Sequence, residues 1–195
     1  MDNFKKHFKK HLEKFLGKLP TTEVEIIVSY FEQLTVKKKE CIQESGMLCD
    51  KMFFVLRGCL RSYYVKTNGG EQTIDFAIEN WWITDNKAFE EGTISSFSIQ
   101  AIEATDILMI TTRQFVLLLE ESPIMEKYFR CVFQRAYAAA QYRLKYLYEF
   151  SREELYFHFE ESYPEFVQRI PQYLMASYLG FSPEYLSEIK KKKFS

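Results

Sequence analysis

The chain is short of histidine and cysteine, has no long apolar run and carries almost no net charge, and each shortage removes a class of function. Its three histidines, His7, His11 and His158, lie outside the stretch that reads as β-strand. No imidazoles therefore converge from strands as a metal-dependent β-roll enzyme requires. Neither a Gly-rich phosphate loop nor a Ser/His/Asp set stands out, so the chain reads as a non-enzyme. His7 and His11 share a helix face at i, i+4, but with no further histidine nearby they read as solvated or half-buried side chains. The four cysteines, Cys41, Cys49, Cys59 and Cys131, form no C-x-x-C pair, which argues against zinc, an iron–sulfur cluster or a disulfide framework. No apolar run approaches the ~18 residues of a membrane span, and lysines interrupt the N-terminus every few residues, leaving no signal-peptide core. A soluble, cytoplasmic protein without a membrane partner is expected. The net charge of −1 lends nucleic-acid binding only weak support.

What is present is ample core material. Of 195 residues, 47% are hydrophobic and 17% aromatic, enough for one sizeable domain and a small second one. Residues 2 to 33 read as two helices broken at Gly17 and Pro20. Phe4, Phe8, Leu12, Phe15 and Leu19 line one face of the first, with lysines on the other, the pattern of a helix docked on its own core. From about Thr35 to Ile110 short β-runs follow: 35–42, 52–56, 60–66, 72–78, 97–102 and 107–110. Ser45-Gly46, Arg57-Gly58, Asn68-Gly69-Gly70 and Gly92 punctuate them, as in an antiparallel sandwich or barrel.

After Pro123 a helix is expected over about 125–149. Phe129, Phe133, Ala136, Ala140, Leu144 and Leu147 run along it at spacings of 3 or 4. Val132, Ala139 and Tyr146 flank them, so the helix needs more than one partner. One is the β-domain; the other is the same helix of a second copy, or else the chain's own remainder. Residues 151–195 read as a small helical domain opened by a Ser151 cap with Glu154 three residues on. At its end, Gln172 to Lys191 has the pattern of a helix-turn-helix. Leu174, Tyr178 and Leu179 form one face, Ala176 allows a close crossing, and Gly180 suits a left-handed turn. Ser182 caps a second helix with Pro183 at its first position, and Leu186 and Ile189 face back. Either an ordinary αα-hairpin or a DNA reader fits this pattern.

The order of these parts resembles the family of the cyclic-AMP receptor protein and Fnr, bacterial transcription regulators. The resemblance runs through Glu44-Ser45-Gly46, Met52 to Gly58, Leu60 to Tyr64, the Asn68 to Glu71 hairpin and Ala176 to Ser187. It implies an α+β chain with an N-terminal double-stranded β-helix, a cyclic-nucleotide-binding-like jelly roll, at 1–122. A long dimerisation helix at 123–150 and a C-terminal helix-turn-helix domain at 151–195 complete it. The implied partners are double-stranded DNA, a second copy of the chain, and RNA polymerase.

In cyclic-nucleotide binders of that family a Gly-Glu pair and a later Arg-Ser or Arg-Thr pair cradle the cyclic phosphate. The matching segment here, residues 80–100, aligns without gaps and puts Thr84 and Asp85, then Ser95 and Ser96, at those positions. The arginine is missing, and with it the bidentate guanidinium that holds a phosphate. On the long helix the base-facing positions become Ala140 and Gln141. Binding of cyclic AMP is therefore not expected, and no cofactor is assigned. Trp82, Thr84, Asp85, Ser95, Ser96, Ala140 and Gln141 are instead the candidate pocket for an unidentified small effector. Trp81 and Trp82 serve equally well as core. The candidate DNA-binding residues are Ser182, Glu184, Tyr185 and Glu188 on the reader face, Gln172 and Tyr173 nearer phosphate, and the basic end with Lys190 and Lys191. Glu184 matches a position that reads cytosine, whereas Glu188 stands where many relatives carry arginine. The candidate dimer interface is Phe129, Phe133, Ala136, Ala140, Leu144 and Leu147.

Overall fold

The structure is a computed structural model that describes residues 3–192. Lys193, the last of the lysine run, lies outside the described residues. The chain forms two compact units, residues 1–64 with 75–133 and residues 65–74 with 134–195. The division thus falls inside the long helix rather than at its ends, and the hairpin tip groups with the C-terminal part.

In the first unit, helices α1 (Asn3–Leu16) and α2 (Thr21–Ser29) precede eight strands. These are β1 (Glu32–Val36), β2 (Cys41–Gln43), β3 (Lys51–Arg57), β4 (Leu60–Val65), β5 (Glu71–Ala77), β6 (Trp82–Ile83), β7 (Ser98–Ala101) and β8 (Thr105–Thr111). They form two four-stranded sheets, ordered β1-β8-β3-β6 and β2-β7-β4-β5. β1, β3 and β8 pair antiparallel in the first sheet, and β2, β4 and β7 do so in the second. The sandwich expectation holds, with one difference. The run 35–42 is not one strand, because the chain turns between β1 and β2 with Lys39 at positive φ. No glycine or asparagine announces that turn.

β3 explains the layering. Its run Met52-Phe53-Phe54-Val55-Leu56 is buried throughout, although a strand with one wet face alternates apolar and polar. Phe53 and Val55 join Leu60, Ile99, Ala101 and Ile107 between the sheets. Met52, Phe54 and Leu56 face the other way and pack with Phe8, Leu12, Val24, Ile27, Leu108 and Phe129. The apolar stripe of α1 thus docks on its own core, leaving Lys6, Lys10 and Lys14 exposed. At the β3–β4 turn Gly58 has φ +104, and a Cβ there would lie 2.5 Å from Thr105 Oγ1 and 2.7 Å from Thr105 Cα. Only glycine fits without moving β8.

Three helices follow within or after the sheets: α3 (Asn86–Glu91), α4 (Thr112–Glu121) and α5 (Ile124–Glu149). The sequence reading missed α3 and α4. For α4 the signal was present, since Thr111 and Gln114 form a reciprocal capping box, the T-x-x-Q pattern that marks a helix start.

The second unit holds the hairpin tip, the rest of α5, and α6 (Arg152–Ser162), α7 (Pro164–Arg169), α8 (Gln172–Leu179) and α9 (Pro183–Lys192). The Ser151 cap forms as read: Ser151 Oγ accepts the Glu154 N–H at 3.3 Å, and Glu154 Oε2 accepts the Ser151 N–H at 2.8 Å. These bonds from Ser151 hold the Glu154 carboxyl below the ordinary glutamate range. A depressed carboxyl stabilises α6 above the unfolded value and loses that contribution as pH falls through the folded one. Carboxyl NMR titration is expected to find Glu154 shifted down in the native protein and less so in Ser151→Ala, which loses the hydroxyl but keeps the backbone N–H.

Candidate functional site

Two groups of predicted residues come together, one in each unit. In the first unit, Thr84 and Asp85 end β6 and open α3. Asp85 is the N-cap of that helix, and its Oδ1 accepts the Ala88 N–H at 3.2 Å. Its Oδ2 accepts the Ser95 hydroxyl at 3.1 Å and the Ser96 N–H at 3.0 Å. The carboxylate is only 6% exposed, and with three donors its burial is offset by charge-assisted bonds. Ser95 Oγ also bonds Phe97 O at 2.9 Å, so the 95–97 turn is tied to α3 through one side chain. Thr84 turns away, its hydroxyl donating to Lys51 O at 2.8 Å.

Trp82 does not join this group. Its ring lies 5.1 Å from that of Phe54 and 5.3 Å from that of Phe129, with Phe8 and Phe31 further round. The indole Nε1–H donates to Tyr128 Oη at 2.8 Å. The phenol oxygen accepts from that indole, which can only donate, and is also hydrogen-bonded to His11 Nε2, 2.8 Å away. Burial pushes the Tyr128 phenol well above its ordinary value, against the opposing effect of the Trp82 bond. Of the two readings left open for Trp82, core applies. Trp81 points out, 46% exposed. His7 is half-buried, and its Nε2 is 2.9 Å from Asn80 Oδ1.

The long helix also divides. Met125, Tyr128 and Phe129 are buried in their own unit, Phe129 at 3% exposure. Phe129 is therefore not offered to a partner, correcting its place in the candidate dimer interface. From Phe133, at 41% exposure, the helix is open. Ala136, Ala140, Gln141, Leu144 and Leu147 are all exposed, as are Tyr137, Tyr142 and Tyr148.

In the second unit, α8 ends in a Schellman turn. Gly180 takes φ 78, the Phe181 N–H reaches Ala176 O at 2.8 Å, and the Gly180 N–H reaches Ser177 O at 3.2 Å. Ser182 Oγ then accepts the Tyr185 N–H at 3.2 Å, opening α9 as its sequence suggests. Leu186 and Ile189 are buried and Leu174, Met175, Ala176 and Leu179 line α8. Ser182, Glu184, Glu188 and Lys191 are exposed, Tyr185 and Lys190 half-buried. Gln172 is spent inside the unit, donating to Ser187 Oγ at 2.8 Å, while Tyr173 is exposed. The sequence reading missed Arg143, Gln72 and Ser177, which bond across this unit. No local pattern announces them.

Against known proteins, residues 33–122 match the family described as "Cyclic nucleotide-binding domain". The catabolite activator protein of Thermus thermophilus superposes with a TM-score of 0.58 at 20% identity, over 93% of this chain and 85% of its own. The c-di-GMP responsive global regulator CLP of Xanthomonas campestris gives 0.71 at 13%, over 89% and 91%. A Eubacterium rectale protein described as a transcriptional regulator of the crp/fnr family gives 0.67 at 16%, over 89% and 83%. No curated protein sequence matches. The sandwich is thus of the cyclic nucleotide-binding type. The chain as a whole is Crp/Fnr-like in fold. Among the described residues no group of three or more His, Cys, Asp or Glu is placed to hold a metal ion, and no helix is long and apolar enough to cross a membrane.

Asp85→Ala removes a cap and leaves the Ala88 and Ser96 N–H groups without their side-chain acceptor, with Ser95 Oγ keeping Phe97 O as its acceptor. A loss of about 3 kcal/mol is expected in urea unfolding, with Asp85→Asn losing less because it keeps the cap.

Proposed function

We propose that this chain is a homodimeric, DNA-binding transcription regulator whose sandwich does not take cyclic AMP. The observation that carries the reading is that the likeness to regulators spans about nine-tenths of the chain. Three features support its parts. On α9, Glu184 and Glu188 are exposed on the side away from the buried Leu186 and Ile189, with Ser182 exposed just before the helix, which leaves an outer face free to enter a major groove. The open half of α5 offers Phe133, Leu144, Leu147 and three tyrosines, an apolar surface that a second copy would cover. Ser95 stands at the arginine's position and its hydroxyl is held by Asp85, so an arriving phosphate would meet no guanidinium there. RNA polymerase as a further partner rests on the likeness alone.

An acidic reader face also suits a second reading, a ligand- or protein-binding module that has given up DNA. Glu184 and Glu188 are both exposed on α9 and both repel phosphate. Selection of duplex DNA by the purified protein at ~0.1 M salt separates the two. The regulator reading expects a palindrome with half-sites about one turn, ~34 Å, apart. It also expects a dimer in sedimentation that Leu144→Glu with Leu147→Glu dissociates. A folded dimer that enriches no sequence fits the binding module instead. Titration with cyclic AMP is expected to give no binding heat.

A further inference from the structure

The Schellman turn at the end of α8 satisfies Ala176 O and Ser177 O, and further donors reach this end from outside the helix. The last turn of α8 carries no basic residue, although a helix C-terminus favours a nearby cation. Within this unit the added partners come from far along the chain. The Arg143 guanidinium, from α5, donates to Tyr178 O at 3.2 Å and stacks 4.0 Å from the Tyr178 ring. It also donates to Ile74 O, in β5. The Gln72 side-chain amide donates to Ser177 O. Ser177 Oγ in turn donates to Glu71 O at 3.0 Å and accepts the Thr73 N–H at 2.9 Å. Thr73 is fully buried. Apart from the Ile74 bond, these contacts meet at Ser177 and Tyr178, shortly before the Gly180 turn that sets the direction of α9.

We propose that residues 71–74 and Arg143 form a brace that fixes the α8–α9 turn, making Ser177 and Arg143 positioning residues for the reader helix. β5 continues without a break from Ile74 into Asp75, Phe76 and Ala77, which belong to the sandwich unit. A shift of that strand along its length therefore pulls on the backbone groups that hold the turn. The reach of the brace to DNA rests on the regulator reading; its existence does not.

The test uses the full-length dimer. Ser177→Ala removes the hydroxyl without weakening α8, since alanine is the better helix former. Hydrogen exchange at the Thr73 amide is expected to quicken about tenfold in this variant, while distant β8 amides keep their rates and Ser177→Thr restores protection. Arg143→Gln is expected to quicken exchange at residues 71–74 and 178–181, with Arg143→Lys falling between it and the native protein. On the selected duplex, Ser177→Ala and Arg143→Gln are each expected to change Kd by about fivefold or more, with far-UV circular dichroism unchanged. A Thr73 amide exchanging at the native rate in Ser177→Ala overturns the brace. Faster exchange with an unchanged Kd overturns its role in positioning α9. Were no duplex selected by the native protein, the regulator reading would fall and the Thr73 exchange rate alone would decide the brace.

Discussion

Double-sided burial of β3 is the constraint from which the rest of the first unit follows. Five consecutive apolar side chains from Met52 to Leu56 alternate between two faces, so neither face of the sheet can be left in water. Each of these side chains is worth about 1.5–3 kcal/mol on burial, and the partner sheet serves only Phe53 and Val55. Met52, Phe54 and Leu56 need a second cover, with Leu108 and Ile110 of β8 beside them. This is why a lysine-rich N-terminal helix keeps an apolar stripe, and why α5 buries Met125, Tyr128 and Phe129 in its first turns. It also explains a polar node in that layer. Tyr128 brings a hydroxyl into an aromatic cluster, and Trp82 and His11 supply its partners from two other elements.

How much of this the sequence disclosed depended on whether a signal was local. Asn68-Gly69-Gly70 and Arg57-Gly58 mark turns by residue type, and the strands beside them were legible within one or two residues. The β1–β2 turn was not, because a lysine, Lys39, holds the positive φ there. The stripe through Phe129, Phe133 and Leu144 shows a clean helical period. Period alone cannot say that its first member packs inside the chain while the others remain open. Asp85, Ser95 and Ser96 were found together only through the family resemblance, whose alignment marks their positions. Their actual relation, a carboxylate bound by the two serines, is a matter of three dimensions. The Arg143 and Gln72 bonds span 35 to 105 residues of chain and leave no trace in any window of sequence.

The two units use polar groups in opposite ways. In the sandwich, Asp85 satisfies a set of donors completely and leaves a small, closed network. In the helical unit, hydrogen bonds tie carbonyls at a helix end to a strand and to an arginine from another helix. A closed network resists change because every group loses a partner when one moves. Carbonyls capped from outside can instead exchange protein donors for water at modest cost.

Trp81 and Trp82, adjacent in sequence, stand in contrasting surroundings: one indole in water, the other inside an aromatic cluster with its N–H bonded to Tyr128. The chain therefore carries a matched pair of natural optical reporters on a single peptide link. The inner one, half-buried against Phe8, Phe54 and Phe129, is placed to sense the packing of α1 and α5 on the sandwich. The outer one is placed to sense whatever approaches the surface beside it. One protein, without any label, thus distinguishes loosening of its core from contact at its exterior.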